Sequence, residues 1–422
     1  MRDSIMDVIE EFGRVPCPCG MRHDTAIRDV RIGSGLVHEV GRILKENGFP
    51  RQVLLVADRN TLRAADGILE SLADFSVETL IYDQLRVAEM KHVEEIERRI
   101  AGRDIGVLSV GTGSLNDPCR LACARQNKLF CIFATAPSMD GFASYSAPIV
   151  ANGFKFSYDA KSPEVIIGDT RVLAAAPTAL KSAGFGDMIA KYVGLVDWKI
   201  SSLLTDEVYC DRVADLTRSA VDDLMRMADT VTVNDEETAG KIFESLLKTG
   251  LGMSFMKNSR PASGCEHIIA HLMECIELRD GIIPDYHGED VGVCTLQMLR
   301  FLNTMAAHEA IHAHRETVDW TDIYDYYGSM AEDVRRMNTP QTVTDTIDPR
   351  RLEEQWQEIR RVIRSIPSYE ECRDAMKKAG CKLDIADIGK SEKLFFDCVK
   401  YSPFMRRRVT LLRLTGMIEE CE

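Results

Sequence analysis

The chain has 422 residues, of which 45% are hydrophobic and 28% charged, a balance that excludes a largely disordered polymer and allows two or three domains with sizeable cores. A formal net charge of −14 argues against a broad nucleic-acid or anionic-membrane surface, though a local basic pocket for a phosphorylated metabolite is compatible with it. No apolar run approaches the roughly 18 residues that span a bilayer, so stable membrane insertion is not expected.

At the start of the chain, "MRDSIMDVIEEF" lacks the basic-then-apolar layout of a secretory signal, and the 13 cysteines are odd in number and scattered. Reduced thiols and a cytoplasmic location are expected. The tightest cluster is Cys17, Cys19 and His23 in "CPCGMRH". A C-x-C without a second pair falls short of a metal motif and reads as a turn carrying small buried thiols. From about Arg31 to Ser138, "QVLLVAD", "VETLIYD", "IGVLSVG" and "LFCIFAT" have the length and side-chain types of buried strands. Between them, "LVHEVGRILKENG", "TLRAADGILESLAD" and "AEMKHVEEIERRIAG" have helical spacing, the first and third closing on glycine. Such alternation predicts an α/β domain with a parallel sheet covered by helices on both faces. After Ser138, "GFKFSYDAKSPEVIIGD" reads as two short strands around a turn, and beyond Pro177 almost everything is helical. Domains of residues 1–174 and 175–422 are expected, with the site in a cleft between them.

Four motifs bear chemistry. "VGTGSLND" follows a strand and opens a helical stretch, so the backbone at Gly111 and Gly113 is able to approach a pyrophosphate. It is not a standard Rossmann fingerprint: G-x-G-x-x-G fails here and again at "GSGLVH", where His38 replaces the third glycine. The plausible ribose-binding acid, Asp58, also precedes the glycines instead of following them. In "TAPSMDGFASYSAP", Asp140 and Ser144 lie on a loop directly after a strand, either lining a ligand or merely capping a turn and facing solvent. "SGCEHIIAH" puts His267 and His271 on one helical face, "PDYHGEDVG" adds His287 and "AGFGDMIAKY" adds Asp187. Two histidines and a carboxylate with an open position make a ligand set for a catalytic divalent metal, although each histidine alone is also a common satisfied polar residue. "HEAIH", with His308, Glu309 and His312, is the competing metal motif. Its downstream stretch offers only undistinguished acids as a third ligand, so a packed histidine-bearing helix is the better reading.

The ordered set "GTGSLND", "TAPSMDGFASYSAP", "AGFGDMIAK", "SRPASGCEHIIAH", "YHGEDVGV" and "KYSPFMRRRVTLLRL" resembles the glycerol-1-phosphate dehydrogenases, bacterial-type members included. These belong to the superfamily of iron-dependent alcohol dehydrogenases, glycerol dehydrogenase and dehydroquinate synthase. The match runs from the region of "CPCG" almost to the C-terminus. The resemblance implies a dehydroquinate synthase-like architecture: an α/β dinucleotide-binding domain, then an all-α domain that holds metal and substrate. It implies that Asp187, His267 and His287 bind the metal, zinc first and nickel or iron next. His271 and Asp140, with Asp187, would face the substrate and its chemistry. NAD(H) or NADP(H) would lie on Gly111, Thr112, Gly113, Ser114 and Leu115, on Thr135, Ala136, Pro137 and Ser138, and on Ser144, with Asp58 near the adenosine end. Thr112 departs from the family's usual G-G-G. Lys155 and Arg260 flank these motifs and are the candidates for the substrate phosphate. The implied reaction is reversible reduction of dihydroxyacetone phosphate to sn-glycerol 1-phosphate, in a homodimer or larger assembly that supplies phospholipid precursors. A glycerol or polyol dehydrogenase, or a dehydroquinate synthase-like lyase, is the alternative on the same fold.

Overall fold

The computed structural model describes residues 4–419. The apolar runs pair as strands β1 (Asp29–Gly33), β2 (Gln52–Asp58), β3 (Ser76–Tyr82), β4 (Ile105–Gly111), β5 (Phe130–Ala134), β6 (Ser146–Ala151), β7 (Phe154–Asp159) and β8 (Val165–Asp169). Six of them form one parallel sheet in the order β1-β8-β5-β4-β2-β3. Every residue of β4, β5 and β8 is buried, as a parallel sheet covered on both faces requires. Alternate side chains of β2 serve the two layers: Val53 and Leu55 pack with Ile43 and Leu44, whereas Leu54 and Val56 pack with Val93 and Ile96. The chain leaves β2 for β3 on one side and β4 for β5 on the other. The carboxyl ends of β2 and β4 therefore bound a crevice at the point where the winding reverses, where open α/β sheets bind ligands.

Two readings from the sequence need correction here. The two strands in "GFKFSYDAKSPEVIIGD" do not pair with one another. β7 instead pairs antiparallel with β6 across Asn152-Gly153, and β8 inserts between β1 and β5. Both turn residues have positive φ, 53° and 79°, which is the backbone that an Asn-Gly hairpin turn demands. "HEAIH" is not helical. The helix His287–Ala307 stops with His308 as its C-cap, and His312–Ala313 pairs antiparallel with Ile418–Glu419. The cause is lateral: Trp356 Nε1 donates to the His308 carbonyl, and Arg360 and Arg364 donate to that of Ala306. These carbonyls are satisfied from a neighbouring helix, so the histidines never share a helical face.

Beyond Pro177 the chain is helical apart from that short strand pair, with its core around Phe185, Val193, Ile269, Leu272, Val291 and Trp356. Glycines set how closely its parts approach. A methyl group on Gly184 would run into the Pro137 carbonyl, one on Gly186 into Gly288, and one on Gly288 into Ala183. Helix Thr178–Ile189 thus lies backbone-to-backbone against both the loop after β5 and helix His287–Ala307. No helix of the described residues is long and apolar enough to cross a membrane.

Candidate active site

Between the sheet and the helices lies a cleft with about 1140 Å³ of empty space including its open mouth. One wall is the turn from β4 into helix Gly113–Gln126. Gly111 has no room for a side chain because Leu115 folds back over it, whereas a Cβ on Gly113 would meet only Met139 and Asp117, at 3.5 and 3.8 Å. Both of those residues line the cleft, so Gly113 leaves open a cradle at a helix N-terminus that a pyrophosphate is suited to fill. Ser114 Oγ is tied to the Leu85 carbonyl at 2.6 Å.

The loop after β5 is held from below by Arg120, which is fully buried. Its guanidinium donates to the carbonyls of Gly141 (2.6 Å), Phe142 (3.2 Å), Ser144 and Ser146 (3.3 Å). Gly250 lets helix Glu236–Met256 approach the Asp140 carbonyl from behind. Asp117, three residues before Arg120, is pushed by burial up to about 7, against the pull of Arg120.

Asp187, His267 and His287 bring ligand atoms within 4.8 Å of one another. Asp187 Oδ1 is 3.3 Å from His267 Nε2, and Asp187 Oδ2 accepts the Asp140 amide at 3.0 Å. Each histidine is oriented from its far side: His267 Nδ1 lies 2.7 Å from Glu266 Oε1, and His287 Nδ1 lies 2.8 Å from Glu274 Oε1. Carboxylates that hold the Nδ1 protons leave both Nε2 lone pairs for a cation, so the donors present fit a divalent metal. Lys191, also fully buried, bridges Asp187 Oδ1 and Asp140 Oδ2 at 2.7 Å each. Burial by itself would raise Asp187, but Lys191 and His267 outweigh it and hold the carboxyl well below its ordinary value. Asp140 goes the other way, raised by burial and by the Asp187 charge. His271 stacks on His287 with ring centroids 5.2 Å apart, and burial together with Lys155 keeps it well below the usual histidine range.

Of the residues expected at the site, Gly113, Ser114, Asp140, Ser144, Lys155, His267, His271 and His287 line the cleft. Asp187 lies fully buried behind His267. Gly111, Thr112 and Leu115 form the turn beneath, and Thr135, Ala136, Pro137 and Ser138 are buried, the last two against Gly184. Asp58 caps helix Arg59–Ala64 and accepts amides of Asn60, Thr61 and Leu85, away from the cleft lining. The expectation that Arg260 receives a phosphate meets an arginine already committed to Glu207 (2.6 and 2.7 Å), Ser201 and the Val409 carbonyl, outside the cleft. Lys155 lies in the cleft but is paired with Glu274 at 2.5 Å. Arg86, which lines the cleft over the Tyr286 ring, and Arg408, which donates to Ser259 and Ser263 on the cleft wall, were not anticipated. Lys191, Glu266 and Glu274 were missed as well. Lys191 stands four residues after Asp187, and Glu266 and Glu274 stand beside His267 and His271 on the same helix, which is the signal that was available.

The family model described as iron-containing alcohol dehydrogenase matches residues 31–177. The glycerol-1-phosphate dehydrogenase [NAD(P)+] of Halalkalibacterium halodurans is 31% identical over 321 residues, covering 71% of this chain and 80% of the relative. The enzyme of the same description from Bacillus licheniformis is 28% identical, covering 98% and 94%. Among solved structures, NADH-dependent butanol dehydrogenase A of Thermotoga maritima superposes with a TM-score of 0.61 over 94% of each chain at 14% identity, a likeness of fold.

Proposed function

The chain belongs to the glycerol-1-phosphate dehydrogenase family, and on that premise we propose that it catalyses the reversible NAD(P)H-dependent reduction of dihydroxyacetone phosphate to sn-glycerol 1-phosphate. The observation that carries the reading is the convergence of Asp187, His267 and His287 beside a cleft that Gly113 and Ser114 also line. Asp187, His267 and His287 hold the divalent ion, which when bound supplies Lewis-acid polarisation of a carbonyl and stabilises an alkoxide. Zinc is the expected ion, with nickel or iron able to use the same donors.

The remaining work falls to side chains and backbone. The Gly113 amide and the helix it opens would receive the pyrophosphate of the dinucleotide, which when bound would supply the hydride. With that hydride delivered to C2, a proton would be needed at the C2 oxygen, so that ketone and reduced cofactor would become alcohol and oxidised cofactor. His271, kept neutral by its burial, serves with Asp140 to orient the substrate hydroxyls and relay that proton. Lys191 fixes Asp140 relative to Asp187. Lys155, and with it Arg86, supplies positive charge for the substrate phosphate. Division into domains at residues 174/175, a homodimeric or larger assembly, a cytoplasmic location and a role in phospholipid synthesis belong to the same proposal.

The test follows NADH and NADPH oxidation by metal-loaded protein with dihydroxyacetone phosphate and with dihydroxyacetone, plus chiral analysis of the product. Turnover that requires the phosphate, is lost with a chelator or in His267→Ala, and yields sn-glycerol 1-phosphate is expected. Turnover of the unphosphorylated ketone alone would replace this reading with a polyol dehydrogenase.

A further inference from the structure

The "CPCGMRH" segment does not remain a turn with small buried thiols. Cys17 and Cys19 come to the N-cap of a distant helix, where Cys210, 187 positions beyond His23, completes a cluster with them and His23. Cys17 Sγ lies 3.5 Å from Cys210 Sγ, Cys19 Sγ lies 3.4 Å from His23 Nε2, and Cys210 Sγ lies 3.4 Å from the same nitrogen. All four ligand atoms fall within 4.8 Å of one another. A tetrahedral zinc with Zn–S near 2.3 Å and Zn–N near 2.05 Å has S···S edges of about 3.8 Å and S···N edges of about 3.6 Å. A disulfide needs sulfurs about 2.05 Å apart, well inside the separation seen here.

The surroundings are those of a metal site as well. His23 Nδ1 lies 3.3 Å from the Phe255 carbonyl, which takes the ring proton and turns the Nε2 lone pair towards the three sulfurs. The imidazole packs against the stacked pair of Phe12 and Phe255, at centroid distances of 5.7 and 5.9 Å. Gly20, with φ of 79°, closes the Cys17–Gly20 turn through a 3.0 Å hydrogen bond to the Cys17 carbonyl, so that both N-terminal sulfurs face one way. Cys210 is the N-cap of the 15-residue helix Asp211–Met225, and burial raises its thiol against the pull of the first-turn Val213 amide, so it is a bound cation that would draw off the proton.

We propose that Cys17, Cys19, His23 and Cys210 bind a structural zinc ion, separate from the ion of the cleft, which clasps the segment before β1 to helices Asp211–Met225 and Glu236–Met256. Three thiols lose their protons to the solvent and the imidazole binds neutral, giving a Cys₃His site of net charge −1. All four positions are filled by protein, so the site is closed to substrate and its role is to hold structure. The clasp grips the end of helix Glu236–Met256 at Phe255, and Gly250 of that helix backs the Asp140 loop.

Zinc per chain is measured in full-length protein, in the Cys17→Ser/Cys210→Ser variant and in Asp187→Asn/His267→Ala. Two equivalents are expected in the wild type and one in each variant, with the cysteine variant also melting several degrees lower. Cobalt-loaded wild-type protein provides a second reading that needs no variant to fold: three thiolates give an intense sulfur-to-cobalt band in the near ultraviolet. A folded cysteine variant with undiminished zinc, a cobalt spectrum without that band, or a Cys17–Cys210 disulfide in freshly purified protein overturns the proposal.

Discussion

Replacing Arg120 with methionine removes the cation that the carbonyls of the Asp140 loop share, while roughly keeping its volume. Four carbonyls, of Gly141, Phe142, Ser144 and Ser146, then lose a charged donor in a region from which water is excluded. Hydrogen bonds to charged groups contribute about 1.5–3 kcal/mol each, so a rigid loop would lose on the order of 6–12 kcal/mol. The loop has an open cleft on its other side and is able to turn some carbonyls towards solvent, which brings the expected loss down to about 3–5 kcal/mol, the usual result of stranding buried polar partners. Urea unfolding reads this loss directly, and dinucleotide titration should show weaker binding because Ser144 moves with the loop. Arg120→Lys should fall in between, since a single ammonium cannot fork to carbonyls on both sides. A loss below about 1 kcal/mol for the methionine variant, with unchanged urea dependence and unchanged dinucleotide affinity, would refute the idea that this guanidinium organises the loop.

Asp117→Asn should flatten part of the pH dependence of stability. The folded carboxyl titrates near 7 against an ordinary 3.8, so the folded state binds this proton more tightly than the unfolded chain does. Stability therefore falls as pH rises from about 4 to about 7, by at most about 4 kcal/mol, and the full loss persists above that window. Unfolding at pH 5 and pH 8.5 should show the variant gaining on the wild type as pH rises; a constant difference would contradict the shift. Glu266→Gln, which weakens the anchor on His267 Nδ1, should lower metal affinity by about 10–100-fold in chelator competition while the protein stays folded. Gly184→Ala should cost about 1–3 kcal/mol or more, because backbone stands on both sides of the added methyl. Gly113→Ala should leave stability nearly unchanged and weaken dinucleotide binding, as a calorimetric titration beside a melting curve would show.

The strands most readily recognised were those buried on both faces, since "VLLVA" and "GVLSV" carry their own signal. β1 escaped notice because its residues are only partly buried at the edge of the sheet and "DVRIG" shows no apolar run. The hairpin was hidden by reading "GFKFSY" forward into "EVIIGD", although Asn152-Gly153 marked a turn behind it. Helical periodicity carried the reading past Ala307, because the side chains that end that helix come from Trp356, Arg360 and Arg364, some 50 residues away. The metal donors are legible as motifs; of their orienting carboxylates, Glu266 adjoins His267 in sequence, whereas Glu274 stands 13 positions from His287. Cys210 had no neighbour in sequence to announce it. Arg260 stands beside a motif, but nearness in sequence says nothing about where a guanidinium points: Glu207 holds it elsewhere.

Main chain, not side-chain packing, sets the spacing of the parts of the cleft. Where Gly184 touches Pro137 and Gly186 touches Gly288, there is no intervening side chain whose size matters. Substitutions among Phe185, Val193, Val291 and their neighbours are then absorbed within the helical core, while Asp187 and His287 keep their places. Such a site tolerates wide drift in the residues around it so long as a few positions stay small. Engineering of the substrate end, at Arg86 or Lys155, therefore starts from a centre that is insulated against repacking elsewhere in the helices.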